Sequence, residues 1–122
     1  MTRSNSVLTA LRDATRGLLF PSESDAPFEA FLWPPGSVDA ASLLVQIGLP
    51  ADTPLESLTL TELVRSIPSS MRGNFLPLAT TLVDQVSGVK VYKVGSANRT
   101  VYIIGTTADG FRAGVKVEAI ET

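Results

Sequence analysis

Val101-Tyr102-Ile103-Ile104 is the segment that most restricts what this chain can become. Four consecutive strand-forming residues put apolar groups on both faces of an extended backbone, so the strand needs cover from both sides. The surroundings share its period of two. Val89 to Gly95, Thr100 to Gly105 and Gly114 to Glu121 read as three strands. Ser96-Ala97-Asn98 and the Asp109-Gly110 turn between them are short enough for antiparallel hairpins. Val101–Ile104 is then the central strand, and Val115-Lys116-Val117-Glu118-Ala119 alternates as an edge or half-exposed strand does.

The cover has to come from upstream, where the apolar period is helical. A first helix is expected from about Ser6 to Arg16, with Leu8, Leu11, Thr15 and Leu18 near one face, Asn5 or Ser6 as cap and Gly17 at its end. A polar, proline-bounded loop follows, Pro21-Ser22-Glu23-Ser24-Asp25-Ala26-Pro27. Phe28-Glu29-Ala30-Phe31-Leu32-Trp33 then reads as a strand, stopped by Pro34-Pro35-Gly36. Its alternating faces, Phe28/Ala30/Leu32 and Glu29/Phe31/Trp33, are both mostly apolar.

Ser37 can cap a helix carrying Ala40, Ala41, Leu43, Leu44 and Ile47, ended by Gly48-Leu49-Pro50. Thr59-Leu60-Thr61-Glu62 is a capping box with Leu58 and Leu63 as its staple, and that helix must stop near Ile67-Pro68. Phe75, Leu78, Ala79, Leu82, Val83 and Val86 form a long helical stripe closed by Gly88. The resulting order predicts an α+β fold in one domain, residues 1–122, with a mixed, mainly antiparallel four-stranded sheet between helices.

Composition removes most chemistry. The 122 residues include no cysteine and no histidine, so there is no disulfide, no thiolate site and no imidazole to act as general base or metal ligand. No glycine-rich phosphate loop follows a strand. A net charge of −2 gives no electrostatic reason to seek nucleic acid or a membrane surface. No apolar run spans a bilayer or forms a signal-peptide core, and a cytoplasmic protein is expected. Lys90, Lys93 and Lys116 read as solvent-facing strand residues, poorly placed to activate a serine. No catalytic residue, cofactor or metal of the chain's own is therefore expected.

Two features remain. Glu23, Asp25 and Glu29 crowd one loop and the strand it feeds. As a carboxylate pair or an oxygen-ligand site they would serve an enzyme, and as loop caps they would be solvated structure. On a proline-stiffened loop they would instead be offered to a cationic partner at little ordering cost. The second feature is the ending, where the last strand runs straight into Glu121-Thr122: such a strand would hold both in a defined place, while a frayed end is the ordinary alternative.

The segment Gly17-Leu18-Leu19-Phe20-Pro21-Ser22-Glu23-Ser24-Asp25-Ala26-Pro27-Phe28-Glu29-Ala30-Phe31-Leu32-Trp33 resembles the signature of the nuclease A inhibitor family. So do Val91-Tyr92-Lys93-Val94-Gly95, the run Val101 to Gly110, Ala113-Gly114-Val115 and the closing Glu121-Thr122. The resemblance implies a three-layer α-β-α sandwich and a protein partner, a sugar-non-specific, magnesium-dependent nuclease. It implies that Glu23, with Ser22, Ser24 and Asp25 around it, enters the nuclease cleft. Glu121 and Thr122 would lie beside it, with Thr122 reaching toward the partner's magnesium.

The middle of the chain departs from that pattern. Where the family has an acidic, aromatic loop before its long helix, this chain has Arg65-Ser66-Ile67-Pro68-Ser69-Ser70-Met71-Arg72-Gly73-Asn74. Its two arginines would repel a basic cleft. A structural or regulatory interaction domain that has lost nuclease binding is the alternative this stretch supports.

Overall fold

Tyr102 and Ile103, adjacent in sequence, end up in different cores. In the computed structural model, which describes residues 3–18, 27–96 and 98–120, the chain forms four helices and five strands. In order these are α1 (Arg3–Thr15), β1 (Glu29–Trp33), α2 (Ala40–Ile47), β2 (Leu55–Leu58), α3 (Leu60–Ser66), α4 (Ser69–Gln85), β3 (Ser87–Val94), β4 (Asn98–Thr106) and β5 (Arg112–Ile120). The sheet order is β1-β5-β4-β3-β2, with β4 in the centre, and every pairing is antiparallel.

The alternation along each strand sorts the apolar residues into two clusters. On one face Val91, Val101, Ile103, Val115 and Val117 meet Val7 and Leu11 of α1, Leu63 of α3, and Phe75, Leu78 and Leu82 of α4. On the other face Phe31, Tyr92, Val94, Tyr102 and Ile104 meet Leu43 and Leu44 of α2. Phe28, Ala30 and Leu32 join the first cluster, and Phe31 and Trp33 the second, as the two apolar faces of that strand require.

The sheet corrects the sequence reading twice. It has five strands, not four, because Leu55-Glu56-Ser57-Leu58 pairs with β3 from Leu55↔Val94 to Leu58↔Val91. That segment hid because it is a four-residue edge strand whose apolar residues stand three apart, a helical spacing. The sheet is also wholly antiparallel, not mixed, because β1 pairs with β5 from Glu29↔Lys116 to Trp33↔Arg112. This pairing makes β5 an interior strand and not an edge.

Helix ends moved for local reasons. The capping box formed as expected, with Thr59 Oγ1 accepting from Glu62 N at 3.1 Å and Glu62 Oε1 accepting from Thr59 N at 3.0 Å. At α2 the cap is Asp39 and not Ser37, its carboxylate accepting from Ser42 N at 2.7 Å. The first helix begins at Arg3, which puts Asn5 and Ser6 inside it, and its buried residues are Val7, Leu11 and Thr15, with Leu8 only partly covered. Val83 is 65% exposed, and α4 stops at Gln85, so Gly88 belongs to β3.

Gly114 is fixed by packing. A Cβ there would run into the backbone carbonyl of Ile103 on β4, while across the strand pair Gly114 faces Phe31. Among the described residues no helix is long and apolar enough to cross a membrane.

Candidate partner-binding site

The strand register sets the start of β1 and the later part of β5 side by side at one end of the sheet. Glu29 opens β1 opposite Lys116, and β5 continues past that point to Ile120. Ser22, Glu23, Ser24 and Asp25 lie outside the described residues, as do Glu121 and Thr122. Their described neighbours are adjacent. The chain arriving from the loop and the chain leaving toward Thr122 run on neighbouring strands.

Over the sheet at this end opens a cavity of about 370 Å³ lined by Pro27, Glu29, Thr100, Tyr102, Lys116, Val117 and Glu118. The register explains its composition. Lys116 stands between Glu29 on β1 and Tyr102 on β4, and Glu118 stands opposite Thr100. All five therefore project from one face, the face that α2 covers only farther along. Lys116 Nζ lies 4.0 Å from Glu29 Oε2, an exposed pair that adds little stability. Burial pushes the Tyr102 phenol above its ordinary pKa, and the carboxylates of Glu118 and Glu29 push it the same way. Two acids and one lysine thus share a neighbourhood with net negative charge.

Of the three crowded acids, only Glu29 is described, and it sits at this cavity. Thr100, Tyr102, Lys116 and Glu118 escaped the sequence reading as site residues. Their signal was the polar phase of β5, Lys116 and Glu118, which marked a half-open face without saying what lay beneath it.

The loop leaves α1 beside the arginine-bearing stretch. Gly17, with φ of 75°, closes α1, and Gly17 and Leu18 line a cavity of about 620 Å³ with Met71, Gly73, Asn74 and Phe75. The stretch itself is not one loop. Residues 69–74 form the first turns of α4, and only Ile67-Pro68 separates α3 from it.

Nor are its two arginines alike. Arg72 Nε donates to the carbonyls of Ile67 at 2.9 Å and Val64 at 3.1 Å, and its Nη2 donates to that of Arg65 at 2.9 Å. Carbonyls at a helix C-terminus have no partner within the helix, and a cation there also complements the helix dipole. Arg72 is therefore a clamp on the end of α3, half-exposed and with no opposing charge in those contacts. Arg65 stays exposed.

The remaining aromatics are structural. Trp33 stacks on Phe31 with centroids 4.2 Å apart and leans on Tyr102 at 5.9 Å. Among the described residues no three Asp or Glu side chains are grouped so as to hold a metal ion.

No curated protein matches the chain. The family model described as NuiA, nuclease A inhibitor-like protein, matches residues 5–122. With that match covering nearly every residue, the chain belongs to the nuclease A inhibitor-like family.

Proposed function

We propose that this protein inhibits a sugar-non-specific, magnesium-dependent nuclease by filling its active site with the Ser22-Glu23-Ser24-Asp25 loop and the Glu121-Thr122 segment. The observation that carries the proposal is the pairing of Glu29 with Lys116, which sets the loop's exit and the end of β5 side by side. A cleft built for phosphate oxygens and a metal ion takes carboxylate and hydroxyl oxygens in their place. Glu23 supplies the carboxylate for a nuclease cation, and Thr122 the oxygens nearest the partner's magnesium. Glu29 and Glu118 extend the negative surface behind them.

The proposal treats residues 1–122 as one domain and includes the three-layer α-β-α arrangement, which the two apolar clusters on opposite faces support. The protein acts by occupation, without cofactor, catalytic residue or contact with nucleic acid.

Deleting Thr122 tests the terminal contact. Because the deletion removes one residue beyond the last strand, the fold should survive while inhibition weakens at least tenfold. An unchanged inhibition constant would remove Thr122 from the mechanism. The alternative of an interaction domain without a nuclease target rests on Arg65 and Arg72, of which Arg65 is exposed and Arg72 is also bonded to the end of α3. Replacing Arg65 with Glu should then improve inhibition modestly if a basic cleft lies opposite it.

A further inference from the structure

Arg112 opens β5, at the end of the strand away from the site above, and it is only 6% exposed. Its partners are neutral. Nε donates to the Pro34 carbonyl at 2.9 Å, Nη2 donates to Gln46 Oε1 at 2.7 Å, and the guanidinium carbon lies 5.6 Å from the Trp33 ring centroid. Arginine is rarely this buried without a carboxylate, because a cation removed from water needs an opposite charge. None stands within ion-pair distance here among the described residues.

One guanidinium nitrogen is left over. Nη1 has no acceptor, yet no buried side-chain nitrogen among the described residues lacks a partner. Nη1 is therefore not fully buried, and beside the guanidinium runs a groove of about 330 Å³. Gly36, Ser37, Ala41, Ser42, Val45 and Gln46 line it with Arg112. A Cβ at Gly36 would sit 3.0 Å from the guanidinium, tight enough to press on it. Arg112 is the only charged residue in the lining.

We propose that this groove is a binding site for a small carboxylate monoanion, held by the Arg112 guanidinium. The Ser37 hydroxyl offers a further donor, and Ala41 and Val45 offer an apolar wall for a short aliphatic tail. The charge state follows from the neighbours. Hydrogen bonds from Ser42 hold the Asp39 carboxyl below the usual range, and the charges of Lys90 and then Arg112 add to this, so two cations face one fixed anion. That balance accommodates a single added negative charge and works against a dianion such as phosphate. Nothing in this inference depends on the nuclease reading. Arg112 at the groove and Lys116 at the first cavity stand four residues apart on β5, about 13 Å at strand rise.

The test is titration with sodium butyrate at constant ionic strength, followed by the NMR signals of the Arg112 Nε–H and of the Val45 and Gln46 amides. Saturable shifts confined to these groups are expected, with a midpoint in the millimolar range for so small a ligand. Phosphate and chloride should shift them at least about tenfold less effectively. Ala41→Glu, on the exposed side of α2, places a tethered carboxylate at the groove and should abolish the response while the fold persists. Arg112→Met should also abolish it. Shifts that never saturate, that spread over the surface, or that survive Ala41→Glu would overturn the site, as would an equal response to chloride.

Discussion

The two faces of the sheet are covered by different means. Against one face lie three helices, and sixteen buried residues there form a single, largely aliphatic cluster. Against the other, among the described residues, lies one helix, the eight-residue α2, with seven buried residues, three of them aromatic. The aliphatic face is closed by Leu11, Leu63, Leu78 and Leu82, all inaccessible to solvent. The aromatic face is left open on both sides of α2, at the cavity over Tyr102 and at the groove beside Arg112. Stability is concentrated on the first face, and the polar chemistry collects on the second.

Truncation should expose that asymmetry most strongly. Leu82→Ala, at a fully buried position between α4 and the sheet, should cost about 3–5 kcal/mol in urea unfolding. Leu44→Ala on α2, where the cluster is thinner, should cost about 2 kcal/mol. Equal losses would mean that the two faces contribute alike.

Gly114→Ala probes how the aromatic face is seated. The methyl group would meet the Ile103 carbonyl, and relief requires moving β4 against β5, so a loss of about 1–3 kcal/mol is expected. Thr59→Ala removes one half of the capping box under the aliphatic face and should cost about 1 kcal/mol.

The smallest effect is electrostatic. The Tyr102 phenol is raised above 10.0 first by burial and then by Glu118 and Glu29. A raised phenol contributes stability in full below its unfolded pKa and loses it as pH climbs through the folded value. Alkaline titration should therefore destabilise the protein above about pH 10. Glu118→Gln and Glu29→Gln should each move the tyrosinate absorbance transition to lower pH, with stability at neutral pH unchanged within about 0.5 kcal/mol. A transition unmoved by both would separate these acids from the Tyr102 cavity.

Much of this was legible from residues alone. Strands with strong period-two patterns and the Thr59 capping box were read correctly because their signals are local. The double-sided apolar strand Val101–Ile104 correctly demanded cover on both faces. What failed was non-local. The pairing of β1 with β5 depends on where the chain returns after α2, and no periodicity records that. The four-residue β2 has too few residues to show a strand pattern.

The site divides the same way. Glu29 was visible as an acid in a crowded segment, whereas Tyr102, Lys116 and Glu118 became its neighbours only through register. Arg72 looked like a surface cation because sequence cannot show three carbonyls converging on it.

The central claim is that nuclease inhibition resides at the end of the sheet where β1 begins and β5 finishes. It is tested most directly by measuring the inhibition constant toward a sugar-non-specific nuclease for Glu23→Ala beside Ala41→Glu at the opposite end. Loss of a charge paired in the cleft should weaken inhibition by about 2 kcal/mol or more, roughly thirtyfold, for Glu23→Ala. Ala41→Glu should inhibit as the parent does. Unchanged inhibition by Glu23→Ala, or an equal loss from Ala41→Glu, would contradict the assignment.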